Sequence, residues 1–170
     1  MKVLTITAIL LLNTIFQSSL FPFIRIKGAA PDTLMMIVVS FALQTGSISG
    51  AIIGFSGGLI QDIIYGNSLG VYAVIYMLIG FFTGFVQDKI FIDNIFIPSV
   101  FTFLGSVLKG LMLMVYMFFL RSGITLGYNM KNLVLPEAIY TVLLTPLIYY
   151  WIFLLNRKKF MNRKWHFRRD

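Results

Sequence analysis

The chain contains no cysteine, a single histidine and only six acidic residues among 170. Without cysteine, disulfides and thiol chemistry are excluded. The one imidazole, His166, sits in a basic tail with no cluster of acids beside it, a poor basis for a metal site. Charge is scarce throughout, with Asp, Glu, Lys and Arg making up 12% of the residues. There is no GxSxG, no phosphate loop and no HExxH, so hydrolase, kinase and zincin signatures are missing. An enzyme acting on lipid-linked sugars would need acids facing a donor, with a metal or base beside them. The sequence offers no such set.

Apolar residues are abundant instead. The chain is 58% hydrophobic, with a mean hydropathy of +0.87. A soluble domain of this size could not hide that much apolar surface, so lipid is the solvent expected for most of it. A helix needs roughly 20 apolar residues to cross the hydrocarbon core. On that ruler the expected architecture is all-α and polytopic, with six transmembrane helices. The spans are Val3–Phe21, Pro31–Thr45, about Ile48–Ile64, about Leu69–Val86, about Ile95–Leu120 and about Leu133–Leu155. Residues 1–155 form the transmembrane domain and 156–170 a basic tail. Five spans, with the second and third merged differently, is the alternative. The apolar start resembles a signal peptide, but its only small-residue site, Gly28-Ala29-Ala30, precedes Pro31 and lies far from the apolar stretch. A retained first helix is the better reading.

Gly46, Gly50, Gly54, Gly58, Asp62, Gly66 and Gly70 fall every fourth residue. In a bilayer, small residues at this spacing let another helix approach closely. Gly46, Gly50, Gly54 and Gly58 are expected to share one packing or partner face of the third helix, with Gly66 and Gly70 in the turn beyond. Gly80 and Gly84 repeat the GxxxG spacing in the fourth helix, within a short stretch similar to the third. Convergence on a packing motif explains that match better than an internal repeat.

The intramembrane polar residues are the other candidates. Asp62 lies near the outer end of the third helix, Lys109 near the bilayer middle, Glu137 one turn into the sixth helix and Gln17 at the outer end of the first. A charge at a helix centre costs about 2.5–3.5 kcal/mol on insertion scales, so Lys109 is expected to pair with Asp62 or Glu137. A register-fixing ion pair is favoured over a ligand or ion site. Pro31-Asp32 marks a helix start: proline loses nothing in the first turn, and an acid there complements the helix dipole.

Seven of the fourteen Lys and Arg residues lie in the last fourteen positions. Arg157, Lys158, Lys159, Arg163 and Lys164, with Trp165 among them, suit a cytoplasmic segment on anionic lipid. Both termini are therefore expected in the cytoplasm. No module for nucleic-acid binding accompanies these charges.

Several pieces in order resemble one family. They are Pro31-Asp32-Thr33-Leu34, Phe41-Ala42-Leu43-Gln44-Thr45-Gly46, Gly50 through Asp62, and Leu69-Gly70-Val71-Tyr72-Ala73-Val74-Ile75-Tyr76. Together they resemble the rod shape-determining protein MreD family. The resemblance implies a bacterial inner-membrane scaffold of the cell-elongation machinery, without enzymatic activity or cofactor. It would bind MreC and act beside MreB filaments, a RodA-type glycosyltransferase and a transpeptidase to direct lateral peptidoglycan synthesis. It also implies a fold similar to the substrate-binding subunits of energy-coupling-factor transporters, and a vitamin-binding subunit is the alternative function. Those subunits commonly carry alanines four apart on helix one, where this chain has Thr5, Ala8, Leu12 and Phe16.

Overall fold

The computed structural model describes residues 2–20, 30–65, 69–87, 96–119 and 134–156. Among them all regular structure is helical. The helices are α1 (Lys2–Leu20), α2 (Thr33–Thr45), α3 (Ser47–Tyr65), α4 (Val71–Gly84), α5 (Phe96–Phe119) and α6 (Leu135–Asn156). Each lies within two residues of its expected span. Helices α3, α5 and α6 are long and apolar enough to cross a membrane. Helices α2 and α4 have 13 and 14 residues. At 1.5 Å per residue they reach only about 20 Å, short of a hydrocarbon core of about 30 Å.

The short helix α2 is the centre of the bundle. It touches all five other helices, and every residue from Leu34 to Leu43 is buried. An apolar helix surrounded on all sides belongs in a core. The surrounding helices bury one face each and leave large apolar side chains outward, among them Phe118, Leu143 and Trp151. That is the expected pattern where the outer solvent is lipid. Helix α6 continues through Pro146.

A single residue, Gly46, joins α2 to α3. Its N–H donates to the Ala42 carbonyl at 2.9 Å, closing α2, and its own carbonyl accepts from Gly50 N at 2.9 Å, opening α3. Gly46 therefore belongs to the link and not to the face of the third helix, as the four-residue spacing had suggested. It needs φ of +92° to turn the chain so tightly, a conformation glycine adopts without steric cost.

The remaining glycines set the α3–α4 interface, the most extensive between two helices here. A Cβ on Gly50 would strike the Gly80 carbonyl, one on Gly54 the Tyr76 carbonyl and one on Gly58 the Tyr72 carbonyl. A Cβ on Gly84 would strike the backbone of Ser47. Each step of four up α3 meets a step of four down α4, so the two helices run antiparallel with backbones in contact. Small residues permit that approach, and dispersion between the backbones holds it. Replacing Gly54 by Ala is expected to lower stability in detergent by about 1–3 kcal/mol through overpacking. Ser56→Ala, on the same helix but bonded only to the Ile52 carbonyl, should change it by no more than about 0.5 kcal/mol. Thermal unfolding of the two variants compares them; equal melting temperatures would mean that α3 and α4 do not touch at Gly54.

Candidate functional site: a buried ion cluster

At the start of α2, Asp32 acts as N-cap. Its Oδ1 accepts from Met35 N at 2.9 Å, satisfying one of the free N–H groups of the first turn. The other oxygen, Oδ2, points into the bundle. There it accepts from Lys109 Nζ of α5 at 2.5 Å and from the Tyr76 hydroxyl of α4, also at 2.5 Å. Lys109 also donates to Glu137 Oε1 of α6. The Asp32 backbone N–H donates to Thr141 Oγ1 at 3.0 Å, and Thr141 in turn donates to the Glu137 carbonyl at 2.6 Å. Three helices thus meet on one carboxylate, and α6 joins through the Asp32 backbone N–H and Lys109. Tyr72 stacks on Tyr76 with ring centroids 6.2 Å apart, closing the α4 side.

The site is buried on one side and partly open on the other. Asp32 and Lys109 are buried, whereas the Glu137 side chain retains 27% of its exposure. One ammonium between two carboxylates leaves a formal excess of one negative charge. In a low-dielectric interior the attraction between such groups is strong, but each also loses hydration, so the cluster holds only while every partner is present.

The expected pairing of Lys109 is met by Glu137 and not by Asp62. Asp62 has a different task. Its Oδ2 accepts from Gly70 N and Ala73 N, each at 3.0 Å, and its Oδ1 from Tyr72 N at 3.1 Å. Gly70 precedes α4 and offers no side-chain cap. Asp62, at the end of α3, supplies the missing acceptors and places its negative charge against the positive end of the α4 dipole. Gln17 is half-buried on α1, and no hydrogen bond among the described residues joins it to the cluster. The intramembrane polar group expected from sequence is therefore two sites plus an isolated amide.

Two members of the cluster escaped the sequence reading. Asp32 stood out only as a helix start, and Tyr76 only as part of the resemblance. The available signal was depth: with alternating helix directions, the start of α2, the start of α6 and the upper part of α5 reach the same end of the bundle.

The glycine face lies at a contact between two helices of the chain. Gly50, Gly54, Gly58, Gly80 and Gly84 are buried between α3 and α4 of one chain, so that face is not open to a partner. Gly70 lies at the α4 start with φ of +98°. Gly66 and the tail residues Arg157, Lys158, Lys159, Arg163, Lys164 and Trp165 lie outside the described residues. Among the described residues, no group of three or more His, Cys, Asp or Glu is arranged to hold a metal ion.

The model of the family described as rod shape-determining protein MreD matches residues 1–159. No curated protein and no solved structure matches the chain.

Removing one partner of a buried ion pair typically costs about 3–5 kcal/mol. Lys109→Met and Asp32→Asn are each expected to destabilise the protein strongly, and the double variant should cost much less than their sum. Lys109→Met and Asp62→Asn, which belong to separate sites, should combine additively to within about 0.5 kcal/mol. Denaturation of the single and double variants in one detergent measures both cycles. Coupling of Lys109 to Asp62 as strong as to Asp32 would contradict the geometry.

Proposed function

The chain belongs to the MreD family of rod shape-determining proteins, and from that premise we propose that it is a non-enzymatic, multi-pass scaffold of the bacterial elongation complex. The family places it among membrane proteins that determine rod shape. In our reading it spans the inner membrane six times with both termini in the cytoplasm. It binds MreC, and through the complex it works with MreB filaments, a RodA-type glycosyltransferase and a transpeptidase. Lateral peptidoglycan synthesis is the process it helps direct.

One observation carries the scaffold reading. The intramembrane charges and the glycine ladder, the features with most chemical promise, are engaged within the chain. Lys109 is held between Asp32 and Glu137, Asp62 caps α4, and the glycines bring α3 against α4. Such a bundle is stiff: α2 is tied at its start to three other helices and at its end to α6 through Asn156 and Gln44 at 2.7 Å. A stiff body with an apolar exterior suits the task of holding another membrane helix in place.

The partner surface then differs from the one suggested by the glycine spacing. With that ladder closed by α4, the single helix of MreC would meet one of the exposed apolar faces instead. Loops at the Asp32 end would contact its extracytoplasmic part, and the basic tail would lie on anionic lipid toward the filament.

Depletion of the protein from a rod-shaped host is expected to round the cells and to reduce MreC recovered with the elongation complex. Microscopy and co-purification report the two effects. Rods of normal width with undiminished MreC recovery would refute the scaffold assignment.

A further inference from the structure

Helix α1 is the least constrained helix of the bundle. It packs on α2 and α3 but has no share in the ion cluster or in the glycine contact of α3 with α4. Of its described side chains only Leu10, Asn13 and Thr14 are buried. Leu4, Leu11, Leu12, Ile15 and Phe16 are exposed. In lipid no hydrophobic force selects one apolar face over another. The rotation of α1 about its own axis therefore needs another determinant.

Gly57 of α3 marks where three helices converge. A Cβ there would lie 3.1 Å from Leu10 Cδ2 of α1 and 2.6 Å from Leu34 Cδ1 of α2. In the six-span reading, on which this inference rests, helix directions alternate, so α1 and α3 run the same way. Toward the Asp62 end, Asn13 then stands about 4.5 Å beyond Leu10, and Gln61 about 6 Å beyond Gly57. That height is just past Thr33, the first residue of α2. Asn13 lies about 60° around α1 from Leu10, and Gln61 about 40° around α3 from Gly57. The two rotations have opposite sense. For parallel helices facing each other, they turn both side chains to the same side of the contact.

The groups that meet there are complementary. Asn13 Nδ2 is a buried donor without an acceptor, and Gln61 Oε1 is a buried acceptor without a donor. Asn13 as a whole is 9% exposed. A buried amide left unpaired is costly, and turning a side chain to meet a partner removes that cost. We propose that Asn13 donates to Gln61 across the α1–α3 contact, and that this amide clasp sets the rotation of α1. Polar side chains bonded across helices are a recurring means of association in lipid. The clasp holds Leu10, Asn13 and Thr14 inward and turns Leu11, Leu12, Ile15 and Phe16 to the outside. The outer face of α1 is then a defined surface of the bundle.

The chain has no cysteine of its own, so paired substitutions in the full chain can be cross-linked directly in membranes. Asn13→Cys with Gln61→Cys is expected to form a disulfide several-fold faster than Leu12→Cys with Gln61→Cys, because Leu12 faces outward. Equal rates overturn the clasp and leave the topology standing. Cross-linking of Ile6→Cys with Gln61→Cys, in place of the pair at 13 and 61, would show α1 running the other way. That result overturns the six-span reading and the clasp together. Thermal unfolding in one detergent separates a bond from mere proximity. If the amides bond, Asn13→Leu and Gln61→Leu each strand a partner and lower the melting temperature by about 2–4 °C. The double variant then loses less than the sum. If the amides do not bond, each change removes an unsatisfied buried atom, and an unchanged or raised melting temperature overturns the proposal.

Discussion

The bundle depends on a single carboxylate. Asp32 begins the central helix, and its oxygens receive α2's own first turn, the α4 tyrosine and the α5 lysine. Its backbone adds the link to α6. No other described residue ties as many helices together. Such a node is a specificity device more than a source of net stability. An ion pair removed from water gains little over a well-packed apolar contact, yet it tolerates few alternative registers. In lipid, where one apolar helix face resembles another, this kind of discrimination matters.

Helix packing on the other side of α2 follows a different rule. The α3–α4 pair is held by the absence of side chains, with backbone against backbone over three turns, and by Asp62 reaching across to cap its neighbour. One half of the molecule is thus fixed by charge and the other by close approach. Helix α2 lies between the two and takes part in both: Ala42 fits beside Gly50 and Met35 beside Gly105.

Much of this was legible in the sequence. The helix limits followed from apolar run lengths, and the four-residue glycine spacing announced the tight pair, because one-dimensional signals fix local geometry. The pairing of Asp62 was not legible. An acid in an apolar run reads the same whether it meets an ammonium or three backbone N–H groups, and only the turn into α4 decides between them. Asp32 was hidden for the converse reason: its capping role, obvious from Pro31 and the following apolar run, accounted for the residue and left its second oxygen unconsidered. Sequence spacing also could not say whether a glycine face meets another chain or the next helix of its own.

The link of one residue at Gly46 bears on how the protein is made. Helix α2 is too short to span the hydrocarbon core alone and starts on an acid, so it is poorly suited to enter a bilayer by itself. Joined to α3 without slack, it forms one half of a helical hairpin. Its carboxylate is made well before its partners, since Lys109 lies 77 residues further along the chain and Thr141 lies 109 residues further. During synthesis the first four helices must hold Asp32 without its counter-charge. The network is complete only once α6, which carries Glu137 and Thr141, has been made.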